Sequence, residues 1–331
     1  MVFKISAVTN NTYDFVLQCI MKNASSFTTF ILINYEPMEQ QRYLYIIIFL
    51  LPYMLTIILN TCLIYIICKD RTLHEPMYIF ICNLSFNGIY GGTVLLPHIL
   101  SKLATKSYKM PLANCLIQIF CLHTFGIIEL MILAVMAYDR YAAICIPLHY
   151  HNKMSPRNVK ILIAVAWLFP LCAFPMWMSW TTQLSFCGNI IYKTHCTNFD
   201  LIKLSCNDTS LQNIVGMLLM GVFVLPQLTV ILFSYVQILR ICLHGHKDSK
   251  KKALQTCMPH LLTVINYVCG LSFELIQVRL KTTHTQYGMS LFMSVYFLII
   301  PPLLNPVIYG STVLKKHIYT FVQRKKLSPV S

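Results

Sequence analysis

Asp139 and Arg140 lie side by side at the end of a long apolar run, within Met136-Ala137-Tyr138-Asp139-Arg140-Tyr141-Ala142-Ala143-Ile144-Cys145-Ile146-Pro147-Leu148-His149-Tyr150. Charged side chains at the end of a membrane helix are costly to bury, so their retention points to function. Other polar groups sit alone inside apolar runs: Asn60, Glu129 and Asn305. Asn305 precedes Pro306, which puts a side-chain amide beside a missing backbone donor and gives the helix a local break that can repack. Tyr309 follows one turn later. This is the chemistry of a conformational switch, in which ion pairs and hydrogen bonds are exchanged. Bond-making chemistry has no comparable grouping. Neither a coherent His/Asp metal cluster, nor a Ser/His/Asp set, nor a glycine-rich phosphate loop occurs in the sequence. No cofactor, metal or enzymatic activity is therefore expected.

These groups need a scaffold that buries them in lipid. The chain has 331 residues, 56% hydrophobic and only 11% charged, against about 25% charged in a soluble domain. The net charge of +15 would suggest nucleic acid in a soluble protein; here the apolar runs come first, and the basic residues read as loop residues. A bilayer crossing takes about 20 mostly apolar residues. Seven stretches qualify: Tyr43–Cys68, Met77–Leu103, Cys115–Tyr141, Val159–Trp180, Leu211–Leu243, Leu254–Gln277 and Tyr287–Tyr309. The short connections predict an all-α membrane protein, one seven-helix bundle over 43–309, with an N-terminal tail over 1–42 and a C-terminal tail over 310–331. The proline residues, among them Pro52, Pro97, Pro170, Pro226, Pro259 and Pro306, are tolerated as kinks where neighbours satisfy the freed carbonyls. A transporter is disfavoured, since no internal repeat with paired broken helices is visible.

Sixteen of the 26 basic residues fall on one face, in the connections after the odd-numbered spans and in the C-terminal tail. The positive-inside bias then places the N-terminus outside and the C-terminus in the cytoplasm. Glycan acceptors at Asn10, Asn23 and Asn207 lie on the outer side of that arrangement. So do Cys115 at the head of the third span and Cys187, Cys196 and Cys206 in the loop after the fourth, where oxidation is possible. Four cysteines allow three pairings. From Cys115 to Arg140 the third helix would rise about 37 Å, nearly the bilayer with part of its interface. Cys115 and Arg140 thus mark opposite mouths of the bundle. Phe27 to Ile33 is too short and interrupted to be the core of a signal peptide.

The Met136–Tyr150 stretch resembles the signature of odorant receptors, a branch of the rhodopsin-like G-protein-coupled receptors, with fish-type features at Asn87-Gly88 and at the start of the sixth helix. Leu73-His74-Glu75-Pro76-Met77-Tyr78 is similar to the family's first-loop signature, and Lys252-Ala253-Leu254-Gln255-Thr256-Cys257-Met258-Pro259-His260-Leu261 to its sixth-helix start. Ser234-Tyr235-Val236-Gln237-Ile238-Leu239 resembles the end of its fifth helix, and Pro302-Leu303-Leu304-Asn305-Pro306-Val307-Ile308-Tyr309 that of its seventh.

The resemblance implies a plasma-membrane receptor for small organic odorants that activates a stimulatory, olfactory-type heterotrimeric G protein and raises cyclic AMP. A receptor of the same fold for amines, amino acids or peptides is the alternative. It further implies Cys115–Cys196 and Cys187–Cys206 disulfides, and coupling or switch roles for Asp139, Arg140, Tyr141, Tyr235, Asn305, Pro306 and Tyr309. Two departures stand out. The acidic position of the second helix is Gly88, which removes one wall of the sodium pocket of many relatives, leaving Glu129 and Asn87; and the aromatic motif of the sixth helix reads Tyr267-Val268-Cys269.

A ligand pocket is expected among inward-facing side chains of the outer halves of helices three, five, six and seven. His123, Ile127, Phe223, Ser272, Leu275 and Val295 are the candidates, a mainly apolar set with a few hydrogen-bonding groups. Glu274, near the outer end of the sixth span, is placed either against a cationic ligand or in interfacial water. Val313, Leu314, Ile318 and Phe321 recur at helical spacing between basic residues, predicting a short amphipathic helix at the anionic inner leaflet.

Overall fold

The computed structural model describes residues 27–244, 247–279 and 287–327. Seven helices are long and apolar enough to cross a membrane: α1 (Arg42–Lys69), α2 (Pro76–Thr105), α3 (Leu112–Cys145), α4 (Pro156–Thr181), α5 (Ser210–His244), α6 (Lys247–Arg279) and α7 (Tyr287–Leu327). Every stretch expected to span lies within one of them. Their starts follow ordinary capping chemistry. Pro76 and Pro156 occupy first-turn positions, where the missing N–H costs nothing, and the Ser155 hydroxyl accepts from Asn158 N.

The third helix is the axis of the bundle. It packs against α2, α4, α5 and α6, and 67% of its apolar window is buried, compared with 11% for α5. The outward faces of α1, α4 and α5 expose Ile, Leu, Phe and Met instead, as lipid-facing helices do. At Gly91 the approach of α2 to α3 is so close that a Cβ would collide with the Phe125 ring.

Two features extend the helical expectation. Over the mouth that carries the disulfides lies a three-stranded sheet of order β2-β1-β3, with β1 Thr29–Leu32, β2 Lys109–Pro111 and β3 Ile190–Ile191. β1 runs antiparallel to β2 and parallel to β3. Phe30 and Leu32 alternate inward and are fully buried, and Tyr35 stacks on Tyr108 and donates to the Thr194 carbonyl at 2.8 Å. The apolar stretch from Phe27 to Ile33 therefore forms part of a lid.

At the other mouth, α7 continues without a helical break to Leu327, so the amphipathic segment is an extension of that helix. It docks on the α1–α2 connection: Lys316 Nζ is 2.8 Å from Glu75 Oε1 and lies over the Tyr78 ring, and His317 Nδ1 is 2.8 Å from Asp70 Oδ2. The Phe321 side chain lies outside the described residues.

Candidate functional site

Four polar levels are stacked along α3. At its C-terminal mouth, Arg140 Nη2 meets Asp139 Oδ2 at 2.6 Å and its Nε donates to the same oxygen at 3.1 Å. The Tyr150 hydroxyl donates to Asp139 Oδ1 at 2.9 Å. Asp139 is fully buried, and both its oxygens are engaged from α3 and the turn after it. Beside the carboxylate, burial pushes the Tyr150 phenol well above its ordinary range, with the Asp139 charge adding to the effect. Tyr141 packs obliquely on Phe233 of α5, with ring centroids 5.6 Å apart.

One level deeper, His260 on α6 bridges two helices: Nδ1 lies 2.6 Å from the Tyr235 hydroxyl on α5, and Nε2 lies 3.0 Å from the Leu133 carbonyl on α3. A carbonyl only accepts, so Nε2 carries the proton and Tyr235 donates to Nδ1. Sequence reading did not single out this histidine, although it stands in the quoted sixth-helix segment. An imidazole in an apolar run was the available clue.

The third level is built around Glu129. Asn87 Nδ2 donates to its Oε2 at 2.7 Å and Asn305 Nδ2 to its Oε1 at 2.6 Å, so one carboxyl joins α2, α3 and α7. Asn60 Nδ2 donates to the Pro302 carbonyl at 2.9 Å. Gly88 lies alongside, where a Cβ would meet Asn60 Oδ1 at 3.4 Å. Tyr309 is buried nearer the Arg140 mouth.

The fourth and outermost level lies under the sheet. Cys115–Cys196 and Cys187–Cys206 are both bonded, with Cα atoms 5.4 and 5.0 Å apart. The first holds the long loop to the head of α3, where Gln118 Oε1 also accepts from Cys196 N at 2.9 Å. Next to it His195 is buried; that burial lowers its affinity for a proton, and the Lys193 charge with His98 and His123 nearby acts in the same direction.

The ligand candidates are divided by the structure. His123 stacks on Phe174 at 4.9 Å, and its Nδ1 faces the Ile119 carbonyl at 2.9 Å. That contact fixes the proton on Nδ1 and leaves Nε2 as an acceptor. Ile127 is half-buried and Val295 buried in the helical core. Below them Tyr267 donates to the Gly126 carbonyl at 2.8 Å and packs edge-on to Phe297 at 5.2 Å, making an aromatic floor. Phe223 is buried on the α4–α5 seam against Phe169. Ser272 is on an exposed face and its hydroxyl donates back to the Val268 carbonyl at 2.8 Å, so it is not brought together with His123. The Leu275 side chain lies outside the described residues. Glu274 pairs with Lys193 of the long loop at 3.3 Å.

The bundle's likeness to known proteins agrees with this arrangement. Squid rhodopsin, in its crystal structure, superposes with a TM-score of 0.64 at 20% identity, over 82% of this chain and 77% of that one; this likeness establishes the fold. A family model described as olfactory receptor matches residues 49–328. The chain belongs to the olfactory receptor family. Olfactory receptor 4B13 of Mus musculus is 34% identical over 87% of this chain and 93% of the mouse protein. Olfactory receptor 5F1 of Homo sapiens is 32% identical over 93% and 98%. The receptor is thus an odorant receptor of the G-protein-coupled class, with seven membrane spans; the family is not an enzyme family. Among its described residues no three His, Cys, Asp or Glu side chains converge as a metal site.

Proposed function

We propose that the receptor binds a small organic odorant between His123, Ile127 and Val295, above the Tyr267–Phe297 floor, and activates a stimulatory olfactory-type G protein at the Arg140 mouth. The observation that carries this reading is Arg140 itself, held by its own neighbour Asp139 at the opposite end of α3 from the Cys115 anchor. Among the described residues the hydrogen bonds of that guanidinium go to Asp139 alone, so its release breaks no hydrogen bond between helices. A ligand that favours the packing in which α5 and α6 part shifts the population toward the state that admits the G protein. Asp139, Tyr141, Tyr235, Asn305, Pro306 and Tyr309 make up the relay. In this reading the receptor sits in the plasma membrane, the N-terminus and the disulfide mouth outside and the C-terminus in the cytoplasm. Asn207, together with Asn10 and Asn23, which lie outside the described residues, carry glycans.

The experiment is expression with that G protein and a cyclic AMP reporter against an odorant panel. Arg140→Ala abolishes the evoked signal while surface display persists; an Arg140→Ala receptor that signals like the wild type sinks the assignment. The Lys193–Glu274 pair favours a second reading, an amino acid whose ammonium and carboxylate replace that ion pair. Amino acids in the same panel distinguish the two.

A further inference from the structure

A recess of about 250 Å³ lies between α2 and α3 below β2, separate from the His123 level and small by the standard of ligand sites. Val94, Met110, Ile117 and Cys121 supply its apolar wall, and His98, Asn114 and Gln118 its polar groups. Ile117 is 61% exposed, so the recess opens sideways onto the surface that lipid covers. Among the described residues His98 Nε2 is buried with no hydrogen-bond partner, and an orphaned buried polar atom is costly unless something outside the chain satisfies it. The Gln118 carbonyl oxygen is already taken by Cys196 N, which leaves its amide NH₂ group to donate. Among the described residues no Asp or Glu lines the recess. Lys102 follows His98 by one helical turn, its Nζ held over the loop by the Lys109 carbonyl at 2.6 Å, so the rim is basic.

We propose that this recess binds an acidic amphiphile, its chain along Val94, Ile117 and Cys121 and its acid oxygens accepting from His98, Asn114 and Gln118 beneath Lys102. An acid fits better than an alcohol. Three groups able to donate converge under an ammonium, and two acid oxygens can engage them together where one hydroxyl cannot. A free fatty acid and the acidic headgroup of a membrane lipid share this chemistry. Through Gln118 the occupant bears on the Cys196 loop, and so on the roof of the odorant level.

The test uses the full-length receptor in phosphatidylcholine nanodiscs, a diazirine-bearing octanoic acid as photoprobe, and peptide mapping of the label. Label is expected between residues 94 and 121, displaced by octanoate and not by octanol at the same concentration. His98→Leu lowers labelling about tenfold, the scale of one lost charge-assisted hydrogen bond. Ile117→Trp, on an exposed position where folding is indifferent to the change, lowers it by closing the opening. Displacement by added phosphatidylserine assigns the site to a lipid headgroup, and indifference to that lipid assigns it to the free acid. Label outside α2 and α3, equal displacement by octanol, or unchanged labelling in both variants overturns the proposal.

Discussion

Asn60 Nδ2 donates to the carbonyl of Pro302 across 2.9 Å, and that carbonyl is the one Pro306 leaves without a helical partner. In a helix the carbonyl of residue 302 accepts from the N–H of residue 306, which a proline lacks. A side chain on α1 therefore completes the backbone of α7 where lipid cannot. The break at Asn305-Pro306 is held by a contact that can be exchanged.

Replacing Asn60 with Leu removes the donor and leaves a buried carbonyl unpaired. The cost should be about 1–3 kcal/mol, read as a fall in the melting temperature of the purified receptor. Asn60→Asp, of equal size but without the amide donor, should lose as much or more. A stable Asn60→Asp receptor contradicts the role given to the amide.

The Tyr235–His260–Leu133 bridge ties α5 and α6 to α3 close to Arg140. Tyr235→Phe keeps the ring and removes one hydrogen bond of about 1 kcal/mol. If the bridge belongs to the resting packing, basal cyclic AMP rises about fivefold, the factor that energy gives a two-state equilibrium. His260→Phe, which removes both contacts, raises it further. Basal signalling equal to or below wild type in both variants would assign the bridge to the active packing instead.

The spans were legible because crossing a bilayer is a local property: about 20 apolar residues and internally paired backbone suffice. The switch level was legible for a related reason, since Asp139, Glu129 and Asn305 are polar residues where polar residues are expensive. The sheet was not. Its strands are two to four residues long and come from positions 29–32, 109–111 and 190–191, and no periodicity within any one segment indicates its partners. Helix rotation was the other blind spot. Counting turns along α3 from Arg140 places His123 and Ile127, whereas α6 offers no such fixed reference, and Ser272 occupies an exposed face. The link from Asn60 to Pro302 spans 242 residues and follows from packing alone.

The two disulfides should differ in cost. Cys115–Cys196 closes 81 residues and Cys187–Cys206 closes 19. Loop-closure entropy then gives about 4.5 kcal/mol for the first and about 3 kcal/mol for the second. Cys196→Ser also disturbs the amide held by Gln118, so its surface display should fall further than that of Cys206→Ser. Flow cytometry on non-permeabilised cells measures this, and the reverse order would refute the account.

His195 provides a pH test of the same mouth. Its buried imidazole binds a proton less readily than the ordinary value of 6.5, first through burial and then through Lys193, His98 and His123. Below about 6.5 the unfolded chain takes up a proton that the folded receptor refuses, so stability present at neutral pH declines with acidification until the folded imidazole is protonated as well. The melting temperature of the wild type should fall as pH is lowered from 7 to 5. His195→Gln keeps a polar side chain of similar reach and cannot titrate in this range. Lys193, His98 and His123 remain in that variant, so the difference between the two melting curves isolates His195. Curves that fall in parallel remove His195 as a source of the acid sensitivity.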